Sequence, residues 1–221
     1  MCYRFNTNFS IEQAEEYYEA HELEHEYHLL DELNGFNYPE TALIIDSAPT
    51  EIVVGKWGLI PSWGKPDFLK KANTLNAKIE TVETLASFKN SVKNRCLIPA
   101  HSFYEWQWMD AKGKVKKKFE ISIKDHDIFS LAGIYNLWTN SETGKQFRTY
   151  SILTTEANVL MSEIHNNKKR MPVCLHKEMH ERWLEGRPVG EFAYPGYEAN
   201  LVAHEVGGGI ADLLFPEVNS K

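Results

Sequence analysis

The sequence predicts one strand-rich α+β domain whose mixed or antiparallel sheet curls into a barrel-like arrangement, flanked by a few helices. Several short segments alternate apolar and polar residues as half-buried strands do, for example Phe119, Ile121 and Ile123. There is no regular alternation of strands and helices of the kind that builds a parallel sheet. At 221 residues, a single domain over residues 1–221 is the simplest organisation.

The first half of the chain opens with a helix signal and continues in strands. Ser10 and Gln13 match a capping box, so a charged and largely exposed helix is expected from there through the twenties. The Asn34-Gly35 pair is expected to end it. Strands are predicted at residues 42–45, 52–57 and 96–99.

Apolar spacing and turn residues predict the remaining elements. Residues 81–92 have apolar positions at helical spacing and are expected to form a helix. Residues 103–123 read as a hairpin with Gly113 in its turn, and further strands are predicted at 128–134 and 147–153. Helices are also predicted at 155–164, capped by Thr154 or Thr155, and at 177–185, ended by Gly186. The Gly207-Gly-Gly209 run and the last residues are expected to be a loop and tail.

Composition and charge narrow the class of protein. The chain is 43% hydrophobic, with no apolar run of about 18 residues and no signal-peptide pattern, so neither a membrane span nor secretion is expected. Its three cysteines form no CxxC pair, which favours the reducing cytoplasm. The net charge of −7 argues mildly against nucleic acid, yet lysines cluster at 65–71, 112–118 and 168–170. Local charge decides binding, although each cluster also fits a solvated loop.

The second residue of the chain is a cysteine. Removal of Met1 would give Cys2 a free α-amine beside its thiol. An α-amine with a pKa near 8 is partly neutral and nucleophilic at pH 7, and the thiol supplies a second nucleophile. An aldehyde that meets this pair forms an imine, which the sulfur closes into a five-membered thiazolidine. The alternative is a cysteine with no chemical role.

Three further residues are candidates for catalysis or binding. Glu105 lies between aromatic residues just past a buried strand, where burial favours the neutral acid and suits general acid/base work. A plain ion pair with a hairpin lysine is the alternative. His165 follows a predicted helix and either serves a proton transfer or interacts with the helix dipole. Asn76 either begins the helix at 81 or hydrogen-bonds a ligand.

The segment His21-Glu22-Leu23-Glu24-His25 matches the H-E-x-x-H pattern of zinc peptidases. Such a site needs a largely buried helix, whereas this segment lies within a dense run of carboxylates. A solvated acidic helix is therefore the preferred interpretation, and neither a metal nor another cofactor is expected.

Taken in order, the motifs resemble the SOS-response-associated peptidase (SRAP) family, the abasic-site processing proteins. The resemblance extends over nearly the whole chain and depends on the ordered set with Cys at position 2. Its segments are Met1-Cys2-Tyr3-Arg4-Phe5, Phe36-Asn37-Tyr38-Pro39, Trp57-Gly-Leu-Ile-Pro-Ser-Trp63, Asn76-Ala77-Lys78-Ile79-Glu80-Thr81, Arg95 to Trp106, Leu131 to Trp138, Ser151 to Ala157, Ile164-His165 and Arg170-Met-Pro-Val173.

The resemblance implies a strand-rich SRAP-type fold and a role for each matching position. Cys2, exposed by autocatalytic removal of Met1, would capture the aldehyde of an abasic site in single-stranded DNA as a thiazolidine crosslink. Asn76 would position the amine and sugar, Glu105 would be the general acid/base, and His165 would bind the opened sugar and aid reversal or strand cleavage. The implied DNA-contacting residues are Arg4, Pro39, Trp63, Lys78, Trp106 and Thr154.

Three departures from the family pattern affect these roles. Tyr3 stands where Gly is usual and would crowd Cys2, and Lys78 replaces an Arg that would bind phosphate through two bonds. Residues 166–169 lengthen the segment between His165 and Arg170.

The resulting hypothesis is a monomeric, cytoplasmic sensor of abasic sites, associated with the nucleoid when bound to DNA. It is a cysteine autopeptidase, and the sequence leaves open whether it also cleaves the strand as an abasic-site lyase. The alternatives are a cysteine peptidase that acts on other proteins, and a single-strand binder without catalysis in which Cys2 is incidental.

Overall fold

Fourteen strands and four short α-helices lie within residues 2–22 and 32–207, the parts of the chain that the computed structural model describes. The strands are β1 (Arg4–Asn6), β2 (His21–Glu22), β3 (Leu33–Asn34), β4 (Glu40–Ile45), β5 (Ala48–Trp57), β6 (Asn76–Lys78), β7 (Arg95–Ala100), β8 (Ser102–Trp108), β9 (Lys116–Ile123), β10 (Phe129–Thr139), β11 (Gln146–Glu156), β12 (Arg170–Pro172), β13 (Cys174–Leu175) and β14 (Leu201–Glu205). The helices are α1 (Ile11–Tyr18), α2 (Phe68–Lys71), α3 (Val159–Ile164) and α4 (His180–Leu184). The strand-rich α+β class is thus confirmed.

Five of the strands close into a ring. β5, β4, β7, β10 and β11 pair in that order, and β11 then pairs with β5 again. The closing pairing is parallel, with Thr149 opposite Lys56 and Tyr150 opposite Trp57, whereas the other four are antiparallel. The expected curled, mixed sheet is therefore confirmed as a small barrel. Closure leaves the ring strands without free edges, which removes a common site of aggregation.

The second sheet is antiparallel and carries the start of the chain. Its strand order is β14, β9, β8, β1, β3. Phe5 of β1 lies opposite Phe103 of β8, and Phe103 lies opposite Ile121 of β9. These side chains are buried and share one apolar cluster with Leu43 and Tyr150 of the barrel. The core between sheet and barrel thus fixes the position of β1, and with it the residue that precedes β1.

One short strand pairs in parallel with a strand of the barrel. β6 pairs with β11, so that Asn76 lies opposite Ile152 and Lys78 opposite Thr154. Just before it, the indole of Trp57 donates a 2.8 Å hydrogen bond to the Leu75 carbonyl. Asn76 is therefore part of a strand and not a turn residue that begins a helix, which was one of its two interpretations.

The helix expected through the twenties is wrong in its length. The capping box of Ser10 and Gln13 is present, but the helix ends at Tyr18, and Glu19 follows with a left-handed φ of 53°. His21 and Glu22 form β2, parallel to β5. Pairing of that backbone with the barrel therefore prevails over the helical charge pattern. Residues 23–31 of the expected helix lie outside the described residues.

The helix expected at 81–92 is also wrong. This segment is a series of turns. Its hydrogen bonds alternate between three-residue spans, such as Phe88 N–H to the Leu85 carbonyl, and four-residue spans, such as Lys89 N–H to the same carbonyl. Leu85 is 48% exposed, so the apolar spacing does not form one buried stripe. A regular helix needs an unbroken series of four-residue bonds.

Two further boundaries differ from the sequence-based expectation. The helix expected from 155 begins only at Val159, because Thr154 and Thr155 belong to β11 and Asn158 is the cap, accepting a 2.8 Å bond from the Met161 N–H. The helix expected at 177–185 is a 3-10 turn at Lys177–Met179 followed by α4. The predicted strands and the 103–123 hairpin are confirmed.

No helix in residues 2–22 or 32–207 has the length and apolar character needed to cross a membrane.

Candidate active site

The site is built around the residue that precedes β1. Cys2 is fully buried in the unprocessed chain, and burial, followed by the nearby Glu105 carboxylate, raises the pKa of its thiol well above the usual range. The Asn76 side-chain amide donates a 2.8 Å hydrogen bond to the Cys2 carbonyl. The pairing of β6 with β11 thus determines where the Cys2 backbone lies.

Glu105 lies on β8 with its carboxyl group turned into the interior. Desolvation by burial raises its pKa to about 7, in accord with the tuning expected from its aromatic neighbours. Two lysines of the hairpin, Lys117 and Lys118, bind the carboxylates of Glu205 and Glu32 rather than Glu105. At neutral pH this carboxyl group therefore populates both the acid and the base form.

His165 is the C-terminal cap of α3 and faces Glu105. Its Nε2 atom lies 3.9 Å from Glu105 Oε2. Its Nδ1 atom donates a 2.7 Å hydrogen bond to the Arg170 carbonyl, which leaves Nε2 as the unprotonated nitrogen of the neutral ring. Desolvation lowers the pKa of His165 to about 4. A neutral ring does not act as a cation on the helix dipole, which was the alternative interpretation.

Asn76 carries a buried polar atom whose partner is missing within the described residues. The amide nitrogen binds the Cys2 carbonyl, but Oδ1 has no hydrogen-bond partner there. A buried amide oxygen without a partner costs about 1–3 kcal/mol. Asn76 therefore presents an unfilled acceptor beside Cys2.

Sequence reasoning missed the role of Arg170, which organises the other side of the cluster. Its guanidinium binds the Glu80 carboxylate through two bonds of 2.8 and 2.9 Å. It also donates to the carbonyl and the hydroxyl of Thr154, at 2.6 and 3.2 Å. Thr154 is buried and engaged by Arg170. The signal in the sequence was an arginine placed directly after the loop of His165.

The lengthened segment after His165 is fixed by one side chain. The Asn166 amide donates to the Trp108 carbonyl at 2.9 Å, and its oxygen accepts from the Trp108 N–H at 3.1 Å. The Asn166 side chain thus makes the two hydrogen bonds to the Trp108 backbone that a neighbouring strand would make at the end of β8. Lys169 adopts a left-handed φ of 50°, which returns the chain to Arg170.

Two of the expected DNA-contacting residues lie on the opposite face of the second sheet from Glu105. Trp106 follows Glu105 in the same strand, so the two side chains point to opposite faces. Arg4 lies on the Trp106 side, with its guanidinium 5.6 Å from the indole centroid. The structure therefore does not place Arg4 and Trp106 inside the cluster of Cys2, Asn76, Glu105 and His165.

Three of the other expected DNA-contacting residues lie nearer the surface, whereas Thr154 is buried. Trp63 is 56% exposed and makes an edge contact with Phe68. Lys78 is exposed at the end of β6, and Pro39 is partly buried, with its carbonyl accepting from the Trp57 N–H. Tyr3, which was expected to crowd Cys2, stacks on Phe36, with the ring centroids 4.8 Å apart.

The described part of the H-E-x-x-H segment, His21 and Glu22, is a strand and not the helix that a zinc-peptidase site needs. His21 lies on β2, whereas His25 is outside the described residues. Within residues 2–22 and 32–207, no group of three or more His, Cys, Asp or Glu side chains is arranged to hold a metal ion.

Comparisons with known proteins agree in sequence and in fold. The model of the family "SOS response associated peptidase (SRAP)" matches residues 1–210. Abasic site processing protein YoqW of Bacillus subtilis is 38% identical over 143 residues, which cover 64% of this chain and 61% of that protein. The chicken abasic site processing protein HMCES is 31% identical over 163 residues, 63% of this chain and 47% of that protein. The matched segment thus spans about half to three fifths of these relatives.

Crystal structures of two bacterial proteins share the fold. One, from Bacteroides thetaiotaomicron, superposes with a TM-score of 0.83 at 28% identity and covers 92% of this chain and 91% of its own. Another, from Bordetella bronchiseptica, has a TM-score of 0.78 at 26% identity, covering 93% and 99%. With the family model matched over almost the whole chain, the protein belongs to the SOS response associated peptidase (SRAP) family.

Proposed function

We propose that this protein processes abasic sites in single-stranded DNA by covalent capture on Cys2, after hydrolysis of the Met1–Cys2 peptide bond. The observation that supports it best is the arrangement of Cys2, Asn76, Glu105 and His165, which are far apart in sequence and meet at one buried place. The names of the relatives, abasic site processing proteins, indicate the same substrate.

The chemistry starts with the α-amine that removal of Met1 would expose. That amine attacks the aldehyde of the ring-opened sugar, and loss of one water gives an imine. The Cys2 sulfur then adds to the imine carbon while its proton passes to the nitrogen, which closes the thiazolidine. The net change is one water released per crosslink, with no oxidation or reduction.

Glu105 is suited to both proton transfers. With a pKa of about 7, it donates a proton to the departing hydroxyl as an acid and accepts the thiol proton as a base. The thiol needs this help, because burial keeps it protonated. Asn76 Oδ1 would accept a hydrogen bond from the new amine, and the neutral His165 ring would accept one at Nε2 from a hydroxyl of the opened sugar. His165 would also serve strand cleavage or reversal.

Location and partners follow from this function as part of the proposal. A monomer that reacts with abasic DNA would act in the cytoplasm, on the nucleoid. The exposed Lys78 and Trp63 would contact the strand through phosphate and base respectively.

Intact-mass spectrometry of the protein, before and after incubation with a uracil-excised single-stranded oligonucleotide, tests the proposal. We expect the starting mass to lack Met1 and to increase by the mass of the oligonucleotide minus one water. The Cys2→Ala variant should form no adduct. Retained Met1 with only salt-sensitive, non-covalent binding would instead favour a binding module without catalysis.

A further inference from the structure

Two cations flank one aromatic ring on the outer face of the second sheet. Lys118 lies directly opposite Trp106 across the β8–β9 pairing. The Lys118 ammonium is 5.8 Å from the Trp106 ring centroid and 4.0 Å from that of Tyr104, and the Arg4 guanidinium is 5.6 Å from Trp106. Neighbouring positive charges around a flat ring are an arrangement that proteins use to bind the backbone and bases of a single strand.

A carboxylate already occupies the space between these cations. One oxygen of Glu32 binds the Arg4 guanidinium, and the other binds the Lys118 ammonium. Glu32 directly precedes β3, the edge strand beside β1, whereas Lys118 lies on β9. The Glu32 carboxylate is therefore close to the face that Arg4, Trp106 and Lys118 share.

Electrostatics keeps Glu32 in its charged form. Partial burial opposes ionisation, but the hydrogen bonds from Lys118 and Arg4 outweigh it and hold the Glu32 pKa below its usual range. The contact therefore persists at neutral pH. All three charged side chains are partly exposed, between 24% and 38%, so a competing anion can reach them from solvent.

The position of this group relative to Cys2 suggests which anion competes. Arg4 is two residues from Cys2, about 7 Å along the backbone. A strand whose sugar is bound at Cys2 has phosphates on both sides of that sugar. Arginine and lysine bind the oxygens of phosphate and of carboxylate in the same way.

We propose that Arg4, Trp106 and Lys118, on the face of the second sheet away from Glu105, form a subsite for a phosphate of the strand whose sugar is captured at Cys2, and that Glu32 occupies this subsite in the free protein and is displaced by DNA. This proposal rests on the proposed function. Its new components are Lys118 as a DNA contact and Glu32 as an internal competitor. A structural ion pair that only tethers β3 is the competing interpretation.

The test compares Glu32→Gln with Glu205→Gln, each in a Cys2→Ser background that cannot form the thiazolidine. Glu205 pairs with Lys117, the neighbour of Lys118, so both changes remove one negative charge beside the same strand. Binding of an undamaged single-stranded oligonucleotide is followed by fluorescence anisotropy at several salt concentrations. Thermal melting confirms that each variant is folded.

We expect Glu32→Gln to bind about threefold to tenfold more tightly than Glu205→Gln, since the two ion pairs that compete with DNA are gone. The slope of log affinity against log salt should steepen by about 0.7 per additional phosphate bound. Adding Lys118→Gln to Glu32→Gln should abolish the gain. Equal affinity and slope for Glu32→Gln and Glu205→Gln would overturn the subsite.

A second pair of variants keeps the test decisive if Glu32→Gln does not fold. Lys118→Gln should weaken DNA binding, whereas Lys117→Gln should have a smaller effect, and equal effects would contradict the proposal. Crosslinking to abasic DNA is scored separately, with Cys2 intact. If the protein crosslinks abasic DNA but Glu32→Gln does not bind DNA more tightly, only the subsite is refuted. If Glu32→Gln binds more tightly but no crosslink forms, only covalent capture is refuted.

Discussion

The Nε2 atom of His165 lies 3.9 Å from the Oε2 atom of Glu105, and the two side chains are equally buried, each 7% exposed. Their pKa values are displaced in opposite directions, to about 4 for His165 and to about 7 for Glu105, because burial disfavours the charged form of each. Between these two values both groups are mainly neutral. The pair is therefore prepared for proton transfer without containing a stable ion pair.

Glu105 should lower the stability of the protein as the pH rises from about 4 to about 7. Its folded pKa of about 7 exceeds the unfolded value of about 4.3, so the folded state binds more protons between these values and the free energy of unfolding falls as pH rises. Glu105→Gln removes this dependence. By linkage it should gain up to about 4 kcal/mol over wild type at pH 8 and nothing below pH 4.

Urea denaturation of wild type and Glu105→Gln at pH values from 4 to 8 measures this difference. The same variant should lose crosslinking, because an amide transfers no proton. A stability difference that does not vary with pH would show that Glu105 does not titrate in this range.

His165 should stay neutral at physiological pH. Its Nδ1 proton is held by the Arg170 carbonyl and its pKa is about 4, so its ring resonances should not shift between pH 5.5 and 8. Nitrogen-15 NMR of the imidazole should show the tautomer protonated at Nδ1. A titration midpoint above 6, or the Nε2 tautomer, would contradict the assigned hydrogen bond.

Asn76→Ala should impair both the fold and the chemistry. The substitution removes the 2.8 Å bond to the Cys2 carbonyl and leaves that carbonyl buried without its donor, at a cost of about 1–3 kcal/mol. Crosslinking should slow because the Cys2 backbone is no longer held. The control is Asn73→Ala, three residues away, whose amide nitrogen makes an exposed 3.4 Å contact with Tyr3 and whose oxygen accepts from the Leu75 N–H at 3.3 Å; neither bond involves Cys2.

Urea denaturation and the rate of adduct formation at saturating DNA separate the two effects. Asn73→Ala should resemble wild type in both. Equal losses in Asn73→Ala and Asn76→Ala would mean that the loop as a whole, and not the bond to Cys2, matters.

Trp63→Ala should weaken DNA binding and leave the fold intact. Trp63 is 56% exposed, so truncation removes little buried area, whereas loss of one base stack costs about 1–3 kcal/mol. The control is Leu137→Ala on β10, where the side chain is 52% exposed and apolar but cannot stack as an aromatic ring. Anisotropy with single-stranded DNA and thermal melting give the two readouts, and equal affinity in both variants would exclude Trp63 from the interface.

Local sequence patterns predicted those elements whose structure depends mainly on residues close by in the chain. Alternation identified β9 as a half-buried strand, and turn chemistry identified the hairpin around Gly113. Local patterns failed where tertiary pairing prevailed. Pairing with β5 turns His21 and Glu22 into a strand, and residues 81–92 form turns although their apolar spacing is helical.

Local features singled out Cys2, Asn76, Glu105 and His165 one by one, but only the family resemblance predicted that they act together. The bond from Asn76 to Cys2 joins residues 74 positions apart, and that from Arg170 to Glu80 joins residues 90 positions apart. No local pattern encodes such distances. The ion pairs of Glu32 with Arg4 and Lys118 were missed for the same reason, since each residue alone has the pattern of an ordinary surface charge.

The parallel pairing of β6 with β11 has a consequence for biosynthesis. Cys2 is among the first residues to leave the ribosome, but Asn76 reaches it only after β11, which ends at Glu156, has been made. His165 follows later still. A nascent chain therefore exposes its future nucleophile long before the groups that activate it are assembled. If Cys2 captures aldehydes as proposed, assistance from Asn76 and His165 would therefore be available only in the completed protein.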